Sequence, residues 1–141
     1  MSKTIYVAVG VIISTNEQQL TQYFLTKRLQ HTHQGGKWEF PGGKVEKDET
    51  VAQALYRELK EEIDIEVLTC SLLTKINHTY AEEQGEDKTV CLEVFIVDNY
   101  LGEPSAQEGQ GQGWFSLEEL LQLNFPKANE AIITKLRSQT L

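Results

Sequence analysis

The stretch Gly43-Lys44-Val45-Glu46-Lys47-Asp48-Glu49-Thr50-Val51-Ala52-Gln53-Ala54-Leu55-Tyr56-Arg57-Glu58-Leu59-Lys60-Glu61-Glu62-Ile63-Asp64-Ile65 carries two superimposed patterns. The first is apolar. Ala52, Leu55, Tyr56, Leu59 and Ile63 recur at helical spacing, which predicts an amphipathic helix over residues 48–63, capped by Asp48 and packed by one stripe on a sheet. The second is acidic. Glu58, Glu61 and Glu62 stand at i, i+3 and i+4, so their carboxylates share one helix face beside the apolar stripe. Carboxylates so close repel, raise one another's pKa and weaken the helix unless something positive sits among them. A hard divalent cation answers that need. Mg²⁺ prefers oxygen ligands, keeps several waters and binds phosphates, so the pattern suits phosphate chemistry better than structural metal binding. Taken alone, such a cluster with Lys60 beside it reads more simply as a solvated helix face. The preceding Pro41-Gly42-Gly43, the arginine at 57 and the aliphatic residue at 59 shift the reading toward a site.

Working outward, residues 4–14 form a β-branched run that reads as a first buried strand. A polar turn at Asn16-Glu17-Gln18-Gln19 leads to a second strand over 23–28, and Gln34-Gly35-Gly36 is a loop. Trp38-Glu39-Phe40 is a short extended piece stopped by Pro41, with Gly42-Gly43 permitting a turn that a β-carbon would forbid. Beyond the helix, residues 65–80 and 89–100 are rich in β-formers. They flank the polar run 82–87, which predicts a long hairpin with a mobile tip. Residues 102–113 form a glycine-rich loop, and Ser116-Leu117-Glu118-Glu119 is a capping box opening a short helix. A last amphipathic helix over 129–138 presents Ile132, Ile133 and Leu136.

The chain has 141 residues, 40% of them hydrophobic, which suits one domain spanning 1–141. With 21 acidic against 13 basic residues and no basic run, a nucleic acid polymer is not an expected partner. A small anionic substrate remains compatible if metal ions offset the repulsion. Cys70 and Cys91 lack a CxxC or a histidine neighbour and read as reduced core thiols, pointing to the cytoplasm. The apolar run 5–13 is far shorter than the ~20 residues of a bilayer span, so no membrane association is expected and a signal-peptide core is the weaker reading. His31, His33 and His78 form no metal-ligand pattern.

From Gly43 to Ile65 the sequence resembles the Nudix box, Gly-x5-Glu-x7-Arg-Glu-aliphatic-x-Glu-Glu-x-Gly-aliphatic. It departs at Asp64, where the family has a glycine in a left-handed helix cap, and slight strain is expected there. Trp38-Glu39-Phe40-Pro41-Gly42-Gly43-Lys44, Gly102-Glu103-Pro104, Glu108-Gly109-Gln110 and Phe125-Pro126-Lys127-Ala128-Asn129-Glu130 resemble the MutT-type branch of that family, which acts on 8-oxo-dGTP. The segment 80–88 looks longer than in that branch. The resemblance implies an α+β Nudix fold, a mixed β-sheet sandwiched between α-helices. It implies hydrolysis of a nucleoside triphosphate to the monophosphate and pyrophosphate through water attack on the β-phosphorus, which would sanitise the nucleotide pool. Mg²⁺, with Mn²⁺ as an alternative, would be held by Glu58, Glu61, Glu62, Glu108 and the Gly43 carbonyl. Glu58, Glu62 and Arg57 would be catalytic, and Glu58, Glu62 and Glu108 stay equal candidates for the general base. Arg57 would orient carboxylates such as Glu49, the alternative being an exposed helix arginine. Glu49 itself is either a secondary metal ligand or an acidic residue favoured at a helix start. Arg28, Phe40, Lys44 and Asn129 would bind substrate, against a core role for Phe40 and an N-cap role for Asn129. Rival readings are another substrate, such as a cytosine nucleotide, dGTP or a capped RNA end, and a nucleotide sensor without turnover. No protein partner is implied.

Overall fold

The β-branched run near the start forms β1 (Lys3–Thr15), the central strand of a mixed sheet, in a computed structural model that describes residues 3–30, 35–80 and 87–139. β2 (Thr21–Lys27) returns antiparallel with Ile13 opposite Tyr23, and β3 (Trp38–Glu39) pairs with the other end of β2, at Thr26 and Lys27. β4 (Gly42–Lys44) lies antiparallel to β1, with Ala8 opposite Gly43. After α1 (Val51–Ile63), β5 (Glu66–Tyr80) and β6 (Lys88–Leu101) form the long predicted hairpin, and β6 runs parallel to β1. β7 (Gly111–Phe115) pairs with β2, followed by α2 (Leu117–Leu120) and α3 (Lys127–Gln139).

β1 is covered on both faces, which is why its sequence is apolar without alternation. Ala8 and Ile12 join Leu55, Leu59 and Ile63 of α1 in one core layer, while Val9 and Val11 join Ile132, Ile133 and Leu136 of α3 in the other. β2 repeats this division, Phe24 facing the α1 layer and Tyr23 and Leu25 the α3 layer. The sheet is therefore held between α1 and the α2–α3 pair, as the α+β expectation required. At Gly10 an added β-carbon would come within 2.9 Å of Leu59 Cδ1, so the bare backbone lets α1 close down on the sheet.

Several predicted details shift. The helix starts at Val51 because Thr50 is the N-cap, its Oγ1 accepting from Gln53 N–H at 3.1 Å while Gln53 Oε1 accepts from Thr50 N–H at 2.8 Å. Asp48 instead takes φ 64° in the turn before it. The buried face of α1 is Ala54, Leu55, Leu59 and Ile63, leaving Ala52 exposed and Tyr56 45% exposed. This roll toward Ala54 draws Glu58 and Glu62 into the protein's edge and leaves Glu61 outside. Gly42-Gly43 is strand rather than turn, and a β-carbon at Gly42 would collide with the Ala8 carbonyl. The glycine-rich stretch predicted to loop to residue 113 joins β2 from Gly111 onward. α3 begins at Lys127, with Asn129 N–H donating to the Pro126 carbonyl at 2.9 Å, so Asn129 lies in the first turn and is not an N-cap. Cys70 and Cys91 are free but half-buried rather than core. His31, His33, Gln34 and the hairpin tip at 81–86 lie outside the described residues. Among the described residues no helix is long and apolar enough to cross a membrane.

Candidate active site

The C-terminal half of α1 meets β3, β4 and the loop of residues 102–110 at an acidic recess. Two backbone hydrogen bonds fasten that loop to the helix end, Ser105 N–H to the Ile63 carbonyl at 2.9 Å and Gln107 N–H to the Glu62 carbonyl at 3.0 Å. They satisfy carbonyls that a helix terminus leaves without an internal partner, and they set Glu108 beside Glu62. Within the loop, Gln110 Oε1 accepts from Glu108 N–H at 2.9 Å and Gln112 Oε1 accepts from Ala106 N–H at 2.6 Å. Asp64, the departure from the family glycine, adopts the left-handed cap with φ 57° and ψ 41°, and Lys60 Nζ donates to its Oδ1 at 3.1 Å.

Glu62 is the most deeply placed of the carboxylates. Gly42 N–H donates to its Oε2 at 3.1 Å, yet burial, reinforced by the charges of Glu39, Glu58 and Glu108, pushes its carboxyl up to about 8. Glu58 packs its carboxylate against the Gly43 backbone, where a β-carbon would collide with it, which gives the glycine a steric reason. Arg57 gathers the rest. Its Nε and Nη2 donate to both Glu49 oxygens at 2.8 and 3.0 Å, its Nη1 to Glu58 at 2.8 Å and to Glu61 at 3.4 Å, and its Nη2 also to the Lys44 carbonyl at 3.1 Å. The guanidinium hydrogen bonds, with Glu46 N–H as a second donor, hold the Glu49 carboxyl down at about 2. The same partners raise the Arg57 pKa. Arg57 is thus a fork between carboxylates, as expected, and not an exposed helix arginine. Glu49 precedes the helix cap and is committed to Arg57.

A cavity with both apolar and polar walls adjoins the recess, lined by Val9, Phe40, Leu92 and Ala128 and by Asn129, Lys44, Arg28 and Glu39. Phe40 is 3% exposed and stacks on Phe125 at 6.0 Å, so it is core and cavity wall together. Asn129 reaches across from α3, its Oδ1 accepting from Phe40 N–H at 3.4 Å. The chain therefore brings Arg28, Phe40, Gly43, Lys44 and Asn129 to one hollow and Glu62 and Glu108 to its neighbour, with the Glu58 carboxylate packed against Gly43. Glu61, 61% exposed, stands at the outer margin.

Among the described residues no three acidic, histidine or cysteine side chains close on a single point as they stand, because Glu58 and Glu61 lean on Arg57. The donor chemistry nevertheless fits a hard cation. All the groups are oxygens, they carry an excess of negative charge, and burial together with the neighbouring carboxylates raises the pKa of the innermost carboxyl, which a bound cation would lower. Sequence reading missed Glu39. It lines both hollows and accepts from Arg28 Nη1–H at 2.6 Å, and burial raises its pKa against the pull of that arginine. The signal was available in strand alternation, since Trp38 and Phe40 face the α3 layer and the residue between them must face away.

Residues 4–136 match the model of the NUDIX domain. The chain is 38% identical over 135 residues to the 8-oxo-dGTP diphosphatase of Escherichia coli K12, covering 96% of this chain and 98% of that protein. It is also 39% identical over 100 residues to the CTP pyrophosphohydrolase of E. coli K12, covering 70% of this chain and 69% of that one. Among solved structures, MutT described from Aliivibrio salmonicida and Vibrio cholerae superposes with a TM-score of 0.76 at 34% identity, over 97% of this chain and 99% of that chain.

Proposed function

The chain belongs to the Nudix hydrolases, and from that premise we propose that it hydrolyses 8-oxo-dGTP, and dGTP less well, to the monophosphate and pyrophosphate. The observation that carries this reading is the pairing of a recess around the buried Glu62 with a cavity walled by Phe40 and edged by Asn129, in a chain similar along nearly all its length to an 8-oxo-dGTP diphosphatase. Nudix hydrolases take a divalent metal, and the proposed ion is Mg²⁺, or Mn²⁺ in its place. Glu58, Glu61, Glu62, Glu108 and the Gly43 carbonyl are its proposed ligands. A bound cation supplies charge neutralisation for the polyphosphate and lowers the pKa of water.

The chain's own groups do the rest. Arg57 bridges Glu58 and Glu49 and fixes the Glu58 carboxylate against Gly43. Water oxygen bonds to the β-phosphorus as the bond to the α–β bridging oxygen breaks, so that oxygen leaves with the monophosphate. The water's proton passes to Glu58, Glu62 or Glu108, whose close placement couples their titrations. Phe40 and Leu92 offer the base an apolar surface, Asn129 its amide, and Lys44 and Arg28 positive charge toward phosphate and base. Glu49 serves Arg57 rather than the cation.

The experiment is pyrophosphate release from 8-oxo-dGTP, dGTP, CTP, dCTP and a 5′-triphosphorylated RNA at low concentration, with Mg²⁺, with Mn²⁺ and with EDTA. A metal-dependent preference for 8-oxo-dGTP is expected. A preference for CTP would establish the second reading, favoured by the likeness to a CTP pyrophosphohydrolase. Binding without cleavage would make the protein a nucleotide sensor despite its full set of carboxylates.

A further inference from the structure

Arg28 and Glu39 are the two residues that border both the cavity beside Phe40 and Asn129 and the recess around Glu62 and Glu108. Glu39 accepts from Arg28 Nη1–H at 2.6 Å, with the side chains only 22% and 31% exposed. Both ends of the pair are held by backbone. Glu39 sits in β3 opposite Thr26 of β2, while Arg28 N–H donates to the Lys37 carbonyl at 2.8 Å and the Arg28 carbonyl accepts from Gly36 N–H at 3.0 Å. An arginine side chain has many rotamers to lose, and a planar fork anchored along one edge loses them before a ligand arrives. The short charge-assisted bond in a partly water-shielded wall is such an anchor.

We propose that Glu39 is a positioning residue for substrate: it holds the Arg28 guanidinium in the wall shared by the two hollows, preset to meet a purine nucleotide where its base-bearing and phosphate-bearing parts join. This rests on the nucleoside triphosphate reading and adds a residue to it. Glu39 also lies near Glu62, so the competing role is support of the acidic recess itself, and the two roles part in their dependence on Arg28.

The test is a double-mutant cycle of Glu39→Ala and Glu39→Gln in the wild-type and Arg28→Ala backgrounds. It is read as calorimetric binding of 8-oxo-dGMP in EDTA and as the division of any loss between KM and kcat. In the wild-type background Glu39→Ala weakens monophosphate binding about tenfold, and Glu39→Gln, which keeps an oxygen acceptor, about threefold, with the loss in KM. In the Arg28→Ala background the same changes add less than about twofold. Equal losses in both backgrounds, or a loss confined to kcat at unchanged affinity, overturns the proposal. Circular dichroism checks folding, and if the alanine variant does not fold the isosteric glutamine variant decides alone. The cycle uses the monophosphate of whichever triphosphate the wild-type protein prefers. A wrong substrate reading is then seen in the wild type, and a wrong role for Glu39 only in the cycle.

Discussion

Glu62 carries its proton into the neutral range because burial and three neighbouring carboxylates disfavour its charge, and this fixes the sign of two pH effects. With the folded carboxyl at about 8 and an ordinary value of 4.5, the metal-free native protein holds more protons than the unfolded chain between those values. Stability of the metal-free protein therefore falls as pH rises through that window, and Glu62→Gln flattens the fall, both measurable as denaturant midpoints at pH 5 and pH 8. Conversely, Mg²⁺ binding near pH 7 releases protons into a weakly buffered solution, and a titration without release would remove Glu62 from the ligand set. Glu58→Gln should cut turnover on the order of 10³-fold while moving the melting temperature by less than about 3 °C, since the residue lies at the edge of the core. A folded, fully active variant would end the proposed mechanism. Asn129→Ala should narrow the ratio of 8-oxo-dGTP to dGTP turnover. Its oxygen contacts Phe40 N–H and caps no helix, so an unchanged ratio would reduce Asn129 to a tie between α3 and the residue that follows β3.

At the level of the elements, α1 was legible in sequence because apolar period, acidic spacing and the glycine before it agree. Its start was not, because Asp48 and Thr50 are both good caps and only Thr50 has Gln53 three residues on to complete the box. The roll of the helix was also hidden, since Tyr56 belongs to the apolar period yet Ala54 is the residue small enough to lie flat on the sheet. β4 escaped notice for a related reason: three residues of Gly-Gly-Lys carry no β-propensity, and their strand exists through pairing with β1. Asp64 offers a test at this scale. A non-glycine residue in the left-handed cap is strained, and its pair with Lys60 is exposed and returns little, so Asp64→Gly should stabilise the protein by about 0.5–1 kcal/mol in urea unfolding. A loss of stability would mean that the Lys60 pair outweighs the cap.

Across the whole molecule, the order of helix, sheet and helix followed from unbroken apolar strands flanked by amphipathic helices, and the acidic site followed from one motif. What sequence left open was long-range meeting: Asn129 with Phe40, Arg28 with Glu39, and the loop of residues 102–110 with the end of α1. A cation bound only by the folded chain stabilises it by mass action. Mg²⁺ at about 100 times its Kd should add about 2.7 kcal/mol, or roughly 10 °C in melting temperature, more at pH 8 than at pH 6. EDTA should reverse the gain. The two hydrogen bonds that Ser105 and Gln107 make to the last carbonyls of α1 join the loop and the helix terminus into one opening unit. Their amides should then exchange with deuterium in step with one another and with the Asp64 amide, at a common opening free energy. The enzyme would pass between an assembled and a dissolved recess in a single event, so that the fraying of one helical turn sets how often the acidic groups are dispersed.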